Sequence, residues 1–412
     1  MILFKMAIRN LLKQKRRSFF TAISMIIGFV LLSISLGLSE GGYGNIIKSF
    51  TKAKTGHIQI HKKGYLEKPS LYKNFLWNDE LIKTIKSVDS VEKIAPRLFS
   101  GALAFVDKKT TAAMVKGIDV KAEASMTGLD KKVEKGTYFK EGGSDELKYE
   151  TVITNSLADA LKLEVGGEII LISSGADGSI ANDKFKVIGI LSKDMDSLEN
   201  RAAFIPLKTA QEFISIGNKV HETAIIIKDY RKSVDESMNI SKALFSAGIK
   251  DLSSNPWEIV EEQFYTSMVA DKEGNFIVIF IIMLIVGVGV LNTVLMSILE
   301  RMREYGVMKA MGTSPMFIFN SIVLETFFLS IFSSVIGFVL ALLANWPLTT
   351  IGISYPEPIS VGGIFIENMN SAYVAEAFYI PVIVIIIAAV IASIIPAYKA
   401  SVADPVKSMR SY

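Results

Sequence analysis

The sequence predicts an α-helical membrane protein with four spans and a large α+β extracytoplasmic domain between spans 1 and 2. Half of its 412 residues are apolar, which is more than a soluble domain of ordinary composition carries. A helix of ~20 apolar residues crosses the ~30 Å hydrocarbon core of a bilayer. Runs of that kind occur at 18–39, 276–299, 316–346 and 378–395, and none occurs within 40–275. The chain therefore combines a helical membrane part with one long water-soluble insert.

The N-terminal segment, 1–17, predicts a basic amphipathic helix in the cytoplasmic membrane interface. Leu3, Phe4, Ile8 and Leu11 share one helical face, and lysines and arginines cover the other. Because positively charged segments stay in the cytoplasm, this cluster predicts a cytoplasmic N-terminus. The apolar run that follows is longer than the apolar region of a signal peptide, so we interpret it as an uncleaved first span.

The insert, 40–275, predicts a βαβ-like part, 40–130 and 219–275, that a β-rich part, 131–218, interrupts. Apolar–polar alternation favours strands, and three- to four-residue apolar spacing favours helices. The predicted strands are His57–Lys62, Val91–Leu98, Thr111–Ile118, Glu168–Ser173, Phe185–Leu191, Ala203–Pro206 and Glu222–Lys228. The predicted helices are Asp79–Val88, Ser156–Leu161, Val234–Phe245 and a polar stalk, Glu258–Glu273, that leads into the second span.

Composition and motifs argue against a catalytic chain. The net charge is only +4, which gives no reason to expect a nucleic-acid partner, and the absence of cysteine excludes disulfides and thiol chemistry. We find no phosphate-binding loop, hydrolase elbow or zinc-protease motif, so we expect no catalytic residue and no cofactor in this chain. His57 and His61 lie four apart on a predicted strand, ~13 Å along the chain, which is too far for a shared metal. No metal site is expected.

The charged segment 300–313, between the second and third spans, predicts a short cytoplasmic helix. Gly306 and Ala310 leave one flank without bulk, and Gly312 should end the helix before Ser314 and Pro315 begin the next one. This segment is either a solvated helical loop or a surface on which a partner subunit docks. The candidate docking residues are Glu300, Arg301, Arg303, Glu304, Gly306, Lys309, Ala310 and Gly312.

Small residues recur every four positions within the spans, which lets membrane helices approach closely. The residues concerned are Gly289, Thr293 and Ser297 in the second span, and Ser333, Gly337 and Ala341 in the third. They predict either packing within one bundle or an oligomer interface. Glu325 is an acid inside the third apolar run, which is costly in lipid. We favour a structural ion pair or hydrogen bond with a basic residue of 300–313 over ion transport.

Two further segments complete the layout. An outer loop at 347–377 carries exposed apolar residues that could contact a lipid-like substrate or pack on the soluble domain. The tail, 396–412, carries Lys399, Lys407 and Arg410, which predicts a cytoplasmic C-terminus.

Three motifs resemble the mechanotransmission-type ABC permeases, namely the MacB group, the lipoprotein-releasing Lol permeases and the FtsX proteins. They are Ala7-Ile-Arg-Asn-Leu before the first span, the stretch 291–312 around Glu-Arg-Met-Arg-Glu-Tyr-Gly, and Pro396-Ala with Ala403-Asp-Pro405. The resemblance covers the whole chain. It implies an outer domain with a porter-like βαβ part and a sabre-like β-rich part, and it makes 300–313 the coupling helix. The insert is large for an FtsX protein and no fused ATPase precedes the first span, which favours the Lol-like or stand-alone exporter branches.

The resemblance also implies the function. We expect a non-catalytic permease subunit in the bacterial plasma membrane, working as a homodimer or heterodimer with two copies of an ABC ATPase that binds ATP and Mg²⁺. ATP-driven motion would push 300–313, tilt the spans and move the outer domains around cargo. The first choice of cargo is a lipoprotein or similar hydrophobic molecule taken from the outer leaflet of membrane lipid. The alternatives are efflux of a peptide or drug, and FtsX-like signalling to a cell-wall enzyme.

Overall fold

A computed structural model describes residues 15–140, 149–195, 199–361 and 364–404. The predicted amphipathic helix at 1–17 and the end of the tail lie mostly outside this range. The chain forms two compact units: a membrane unit, from residues up to 45, 268–356 and 368 onward, and a sheet unit, from 46–267 and 357–367.

The helices that the structure describes are α1 (Lys15–Phe50), α2 (Asp79–Lys86), α3 (Val120–Thr127), α4 (Asn155–Leu161), α5 (Leu207–Phe213), α6 (Ser233–Ser246), α7 (Trp257–Val260), α8 (Glu262–Ala310), α9 (Pro315–Thr350) and α10 (Glu376–Val402). The described strands are β1 (Ile58–Lys62), β2 (Phe75–Leu76), β3 (Val91–Val106), β4 (Lys109–Ile118), β5 (Val133–Gly136), β6 (Glu150–Ile153), β7 (Glu168–Ser174), β8 (Ile180–Leu191), β9 (Ala202–Pro206), β10 (Lys219–Val220), β11 (Glu222–Ile227), β12 (Leu252–Pro256), β13 (Ile353–Val361) and β14 (Ile364–Met369).

Four helices, α1, α8, α9 and α10, are long and apolar enough to cross a membrane, which confirms the predicted fold class. Their shared core contains Phe29 of α1, Val290 of α8, Ile322 of α9 and Ile385 of α10. Each of these side chains is at most 5% exposed. The four helices therefore pack as one bundle.

The prediction that 300–313 forms a separate helix is wrong, because α8 runs without a break from Glu262 through the second span to Ala310. The segment between Ile298 and Ala310 contains mostly strong helix formers, and its single glycine costs only ~1 kcal/mol of helix propensity. The charged segment is thus the final part of the second span's helix.

Three other predicted boundaries also change. Helix α1 continues past residue 39 as far as Phe50. Helix α10 continues past residue 395 through Pro396, which lacks a backbone N–H, and Ala397 and Ala400 beyond it are buried. The region predicted as an outer loop, 347–377, begins with the last turn of α9 and then forms the two-stranded β13–β14 hairpin.

Part of the sheet unit is the predicted βαβ-like unit, in split form. Four strands lie in the order β12-β1-β11-β3, and each neighbouring pair is antiparallel. Helix α2 connects β1 to β3, and α6 connects β11 to β12, so each βαβ crossover skips one strand. Both helices pack on the same apolar core, through Leu81 and Ile85 of α2 and Ile240 and Leu244 of α6.

The β-rich part is a closed ring of six strands, paired in the order β3-β4-β9-β6-β8-β7 and back to β3. Its core includes Ala102 and Ala104 of β3 and Val115 of β4. The predicted boundary at 131 is therefore wrong, since β3 and β4 belong to this core although they lie before it in sequence. Strand β3 is long enough to serve both halves: its first residues pair with β11 and its last with β7.

Candidate functional site

One face of the last turns of α8 is exposed, and it continues into the turn that follows. Its members recur every three or four residues, the spacing of a single helical face. We call this face the exposed stripe; it consists of Glu300, Arg303, Glu304, Val307, Ala310 and Met311. Met311 is 74% exposed and Val307 43%, so the stripe combines charge with accessible apolar surface.

The predicted bare flank at Gly306 and Ala310 is not a single accessible surface. Ala310 is exposed, but Gly306 is buried inside the membrane unit together with Tyr305. Residues four apart on a helix differ by about 40° in direction, and the edge of the buried face falls between these two. Bulk introduced at position 306 would therefore disturb packing rather than docking.

Arg301 points away from the stripe and pairs with Glu325 of α9. Its Nη1 atom lies 3.1 Å from Glu325 Oε2, and its Nε atom lies 3.0 Å from Glu304 Oε2. Its guanidinium also lies 5.3 Å from the centre of the Tyr305 ring. The basic partner that the sequence suggested for Glu325 within 300–313 is thus Arg301, which links an exposed residue of the stripe to the third span.

Lys309 also points away from the stripe. Its Nζ atom donates to the carbonyl oxygens of Ser401 (2.8 Å) and Ala403 (2.6 Å) at the end of α10. A cation at this position satisfies carbonyls that lack helical partners and favours the negative end of the helix dipole. Lys309 therefore connects the end of α8 to the end of α10.

The turn between α8 and α9 has the predicted chemistry. Gly312 adopts a φ of +94°, which favours glycine after a helix end. The Ser314 hydroxyl then accepts a hydrogen bond from the Phe317 N–H at 3.3 Å, with Pro315 in the first turn of α9. The turn fixes where the two helices meet.

The small residues of the spans contact α1 of the same chain. A Cβ on Gly289 would lie 2.7 Å from Ser24 Oγ, and one on Gly337 would lie 2.8 Å from the Phe29 ring. Thr293 donates to the Gly289 carbonyl, and Ser297, Ser333 and Ala341 are buried. Of the two alternatives left open by the sequence, these contacts match packing within one bundle.

Sequence reasoning missed a buried amide at the other end of the bundle. Asn345 is 1% exposed, and its Nδ2 atom donates to Ser33 Oγ at 3.2 Å and to the Ala341 carbonyl at 2.9 Å. The Ser371 hydroxyl donates to Asn345 Oδ1 at 2.7 Å. An Asn inside an apolar run was the available signal, because polar side chains in spans usually find a partner.

It also missed a buried ionic cluster in the sheet unit. Arg97 of β3 donates to both oxygens of Glu123 at 2.9 and 2.8 Å. Its Nη1 atom donates to Glu222 Oε1 at 3.0 Å and to the Lys54 carbonyl at 2.5 Å. Lys54 lies in the π-helical turn Thr51–Thr55 that follows α1. One guanidinium therefore holds the π-helical turn after α1 on the sheet.

The end of α1 and the turn after it contact the start of α8 within the sheet unit. The rings of Phe50 and Phe264 stack with centres 4.4 Å apart, and Lys54 Nζ lies 2.7 Å from Glu261 Oε1. These pairs join the segment after α1 to the first turn of α8.

The three histidines lie on or beside the central strands. His61 and His221 both stack on Tyr65, with ring centres 5.0 and 5.8 Å away, and His61 Nε2 lies 3.5 Å from Glu222 Oε2. His221 accepts from the Phe99 N–H and bonds to the Leu71 carbonyl. Among the described residues, no three His, Asp or Glu side chains are grouped as metal ligands.

Comparison with known proteins matches both parts of the chain. The model of the MacB-like periplasmic core domain matches residues 18–237, and that of the FtsX-like permease C-terminal region matches 276–405. The macrolide export ATP-binding/permease protein MacB of Campylobacter jejuni is 23% identical over 91% of this chain and 58% of its own length. The chain thus spans little more than half of that relative.

A second relative matches over its full length. The ABC transporter permease YknZ of Bacillus subtilis is 22% identical over 98% of both chains. Among solved structures, the periplasmic region of MacB from Actinobacillus actinomycetemcomitans aligns with a TM-score of 0.38 at 18% identity, covering 52% of this chain and 94% of that one. The extracellular domain of YknZ aligns with a TM-score of 0.36 at 16% identity, covering 48% and 98%.

Proposed function

Since the chain belongs to the MacB/FtsX family of ABC-transporter permeases, we propose that it couples ATP hydrolysis by a separate ATPase subunit to movement of its sheet unit. The observation that carries this proposal is the continuity of α8. A single helix of 49 residues begins beside the sheet-unit contacts of Phe264 and ends in the exposed stripe. We infer that a force applied at the stripe is carried along α8 to those residues of the same helix that belong to the sheet unit.

The stripe is the proposed docking surface for the ATPase. It presents Glu300, Arg303 and Glu304 for charge pairing, and Val307 and Met311 for apolar contact. Aromatic residues, methionine and arginine are enriched at the centres of protein interfaces. Two ATPase copies, which bind ATP and Mg²⁺, would serve two permease chains, either identical or different.

This arrangement requires the stripe, the N-terminus and the C-terminal tail to lie in the cytoplasm, with the sheet unit outside a bacterial plasma membrane. The basic residues Arg301, Arg303 and Lys309 support that orientation. The chain contains no cysteine, so single cysteines at Ser179, Ser360 and Ser314 can report it directly. An impermeant thiol reagent applied to intact spheroplasts should label positions 179 and 360 but not 314. Labelling at 314 alone would invert the topology.

Docking can be tested with exposed positions only. Arg303→Glu and Met311→Asp should each weaken co-purification of the ATPase by about tenfold or more, which corresponds to ~1.4 kcal/mol. The control is Lys399→Glu, an exposed charge change near the end of α10, which should leave binding intact. If both stripe variants retain wild-type ATPase binding and ATP turnover, the segment is a linker and the proposal fails.

For cargo, we propose efflux of an amphipathic compound collected outside the membrane. The support is that the MacB relatives are macrolide export proteins. A lipid-anchored cargo such as a lipoprotein is the second candidate. It is favoured by the hairpin after α9, where Ile351, Ile353, Ile359 and Phe365 are 44–76% exposed. Mass spectrometry of cargo trapped with an ATPase variant that binds but does not hydrolyse ATP would separate the two.

A further inference from the structure

A small cavity lies beside the Arg301–Glu325 pair. Its volume is about 30 Å³, and its polar lining includes Thr21 of α1, Thr293, Ser297 and Tyr305 of α8, and Glu325 and Thr326 of α9. A water molecule needs roughly 10–15 Å³ of such space, so the cavity has room for about two or three waters. Three helices contribute to it.

The lining offers hydrogen bonds that a water molecule could complete. Thr293 and Thr326 donate their hydroxyl protons to the carbonyls of Gly289 (2.9 Å) and Ile322 (3.2 Å) in their own helices. Each hydroxyl oxygen therefore keeps lone pairs that can accept from water, as can the Glu325 carboxylate. Cavities that stay dry are lined by apolar groups alone, whereas here hydroxyls and a carboxylate stand among the apolar side chains of Val294, Ile322 and Leu329.

The ion pair beside the cavity joins two different helices. Arg301 lies on α8 and Glu325 on α9, and their side chains are only 12% and 13% exposed. Lipid tails are as apolar as the helix surfaces, so the hydrophobic effect does not drive membrane helices together. Hydrogen bonds between the helices contribute to their association instead. Arg301 also bonds to Glu304 of the stripe, so the exposed surface and the bundle interior share one guanidinium.

We propose that the cavity is a water site, and that its water, Arg301 and Glu325 together fix the end of α8 against α9 and α1. We call this group the base cluster. Arg301 and Glu325 are then positioning residues, because they determine where the stripe lies on the bundle. The consequence for coupling rests on the proposed function, since only a partner at the stripe supplies a force. The cluster itself is a property of the isolated chain.

The positional part can be measured by double electron–electron resonance on the full-length chain without ATPase. Cysteines for spin labels replace Met311, just beyond the end of α8, and Ile331 on α9, which are 74% and 37% exposed. With the native pair we expect one narrow distance. Glu325→Gln or Arg301→Gln should roughly double the width of the distribution, because each leaves its former partner uncompensated.

The Arg301→Gln/Glu325→Gln double variant should broaden the distribution no more than the worse single variant does. Lys399→Gln, an exposed charge removal on α10, should leave it narrow. Unchanged widths in both single variants would overturn the positioning role. Because no ATPase is present, this result is independent of the docking test on the stripe.

The water part can be measured by X-ray hydroxyl-radical footprinting. Tyr305 lines the cavity but is only 4% exposed, so modification of its ring requires a bound water beside it. We expect Tyr305 to be modified in the native chain, and Thr293→Val with Thr326→Val to reduce that modification severalfold while keeping side-chain shape. A native Tyr305 that stays unmodified while exposed Tyr398 reacts would show a dry cavity and overturn the water site.

Discussion

Arg97 in the sheet unit and Arg301 in the membrane unit are both largely buried arginines paired with two glutamates. The partners of Arg97 are themselves buried: the side chains of Glu123 and Glu222 are 6% and 9% exposed. Arg301 has one buried partner, Glu325, and one, Glu304, that is 66% exposed. The first cluster is closed, and the second reaches the surface. A closed cluster can only stabilise its fold, whereas an open one can respond to what binds outside.

Removal of Arg97 should have the largest effect on stability. Arg97→Met leaves Glu123 as a buried carboxylate without its guanidinium and Glu222 with His61 only, and we expect a loss of about 3–5 kcal/mol. Hydrogen exchange of the β11 and α3 amides in the full-length chain measures this locally. The loss should be specific to the sheet unit.

The matched control is Arg231→Met, an exposed arginine of the same unit, for which we expect a change within about 0.5 kcal/mol. Adding Glu123→Gln and Glu222→Gln to Arg97→Met should recover part of the lost protection. Equal protection in the Arg97→Met and Arg231→Met chains would show that the closed cluster is not a stabilising element.

Asn345→Leu should have the next largest effect. It keeps the branching at Cγ but leaves the Ser33 and Ser371 hydroxyls without their shared amide, and we expect a loss of about 1–2 kcal/mol. Thermal unfolding in detergent measures it. Thr350→Val, an exposed change at the end of the same helix, serves as the control, and a loss as large in the control would contradict a specific role for Asn345.

Acid pH should weaken the sheet unit through His221. Burial lowers the pKa of His221 below its ordinary 6.5, although the Leu71 carbonyl and Glu222 oppose that shift. The Phe99 N–H occupies Nδ1, so a second proton there would break a hydrogen bond. The unfolded chain therefore binds more protons, and stability should fall as pH drops below 6.5.

Thermal midpoints measured at about pH 7.5 and about pH 5 can test this, and the midpoint should be lower at the acid pH. His221→Asn should flatten the slope without abolishing it, because burial lowers the pKa of His57 in the same direction. If the thermal midpoint depends on pH equally in the native and His221→Asn chains, groups other than His221 cause the acid sensitivity.

The smallest effect is expected for Glu304→Gln. The pair that it removes is a surface contact three residues apart on one helix, worth about 0–0.5 kcal/mol. The same substitution at Glu325 removes the inner partner and should cost more. If Glu304→Gln lowers the thermal midpoint as much as Glu325→Gln does, the exposed and the buried partner of Arg301 contribute equally to stability, which contradicts this prediction.

Local sequence patterns predicted the individual strands and helices well. They did not predict which distant strands pair to close the ring. The strands at 168–173 and 222–228 and the helix at 234–245 follow from short-range periodicity, and the structure has each of them within a residue or two. The return of β7 to β3 joins residues about 70 positions apart, and no local pattern encodes that pairing. For this reason the two halves of the sheet unit were divided at the wrong residue.

The site shows the same limit. The partner of Glu325 could be expected near the cytoplasmic end, because a lone acid in an apolar run is costly. The burial of Gly306 could not be predicted. Its four-residue spacing from Ala310 defines a helical face, but it does not say whether that face points into the bundle or away from it. The buried ion pairs of Arg97 could not be predicted either, because an arginine on a strand has the same sequence pattern whether it is paired inside the protein or solvated at the surface.

The length of α8 has a mechanical consequence. At 1.5 Å per residue its 49 residues form a rod of roughly 74 Å. Pivoting such a rod by about 5° displaces its far end by roughly 6 Å, more than one helical turn. A small rotation of α8 about one end would therefore produce a displacement of several ångströms at the other end, in proportion to the length of the helix.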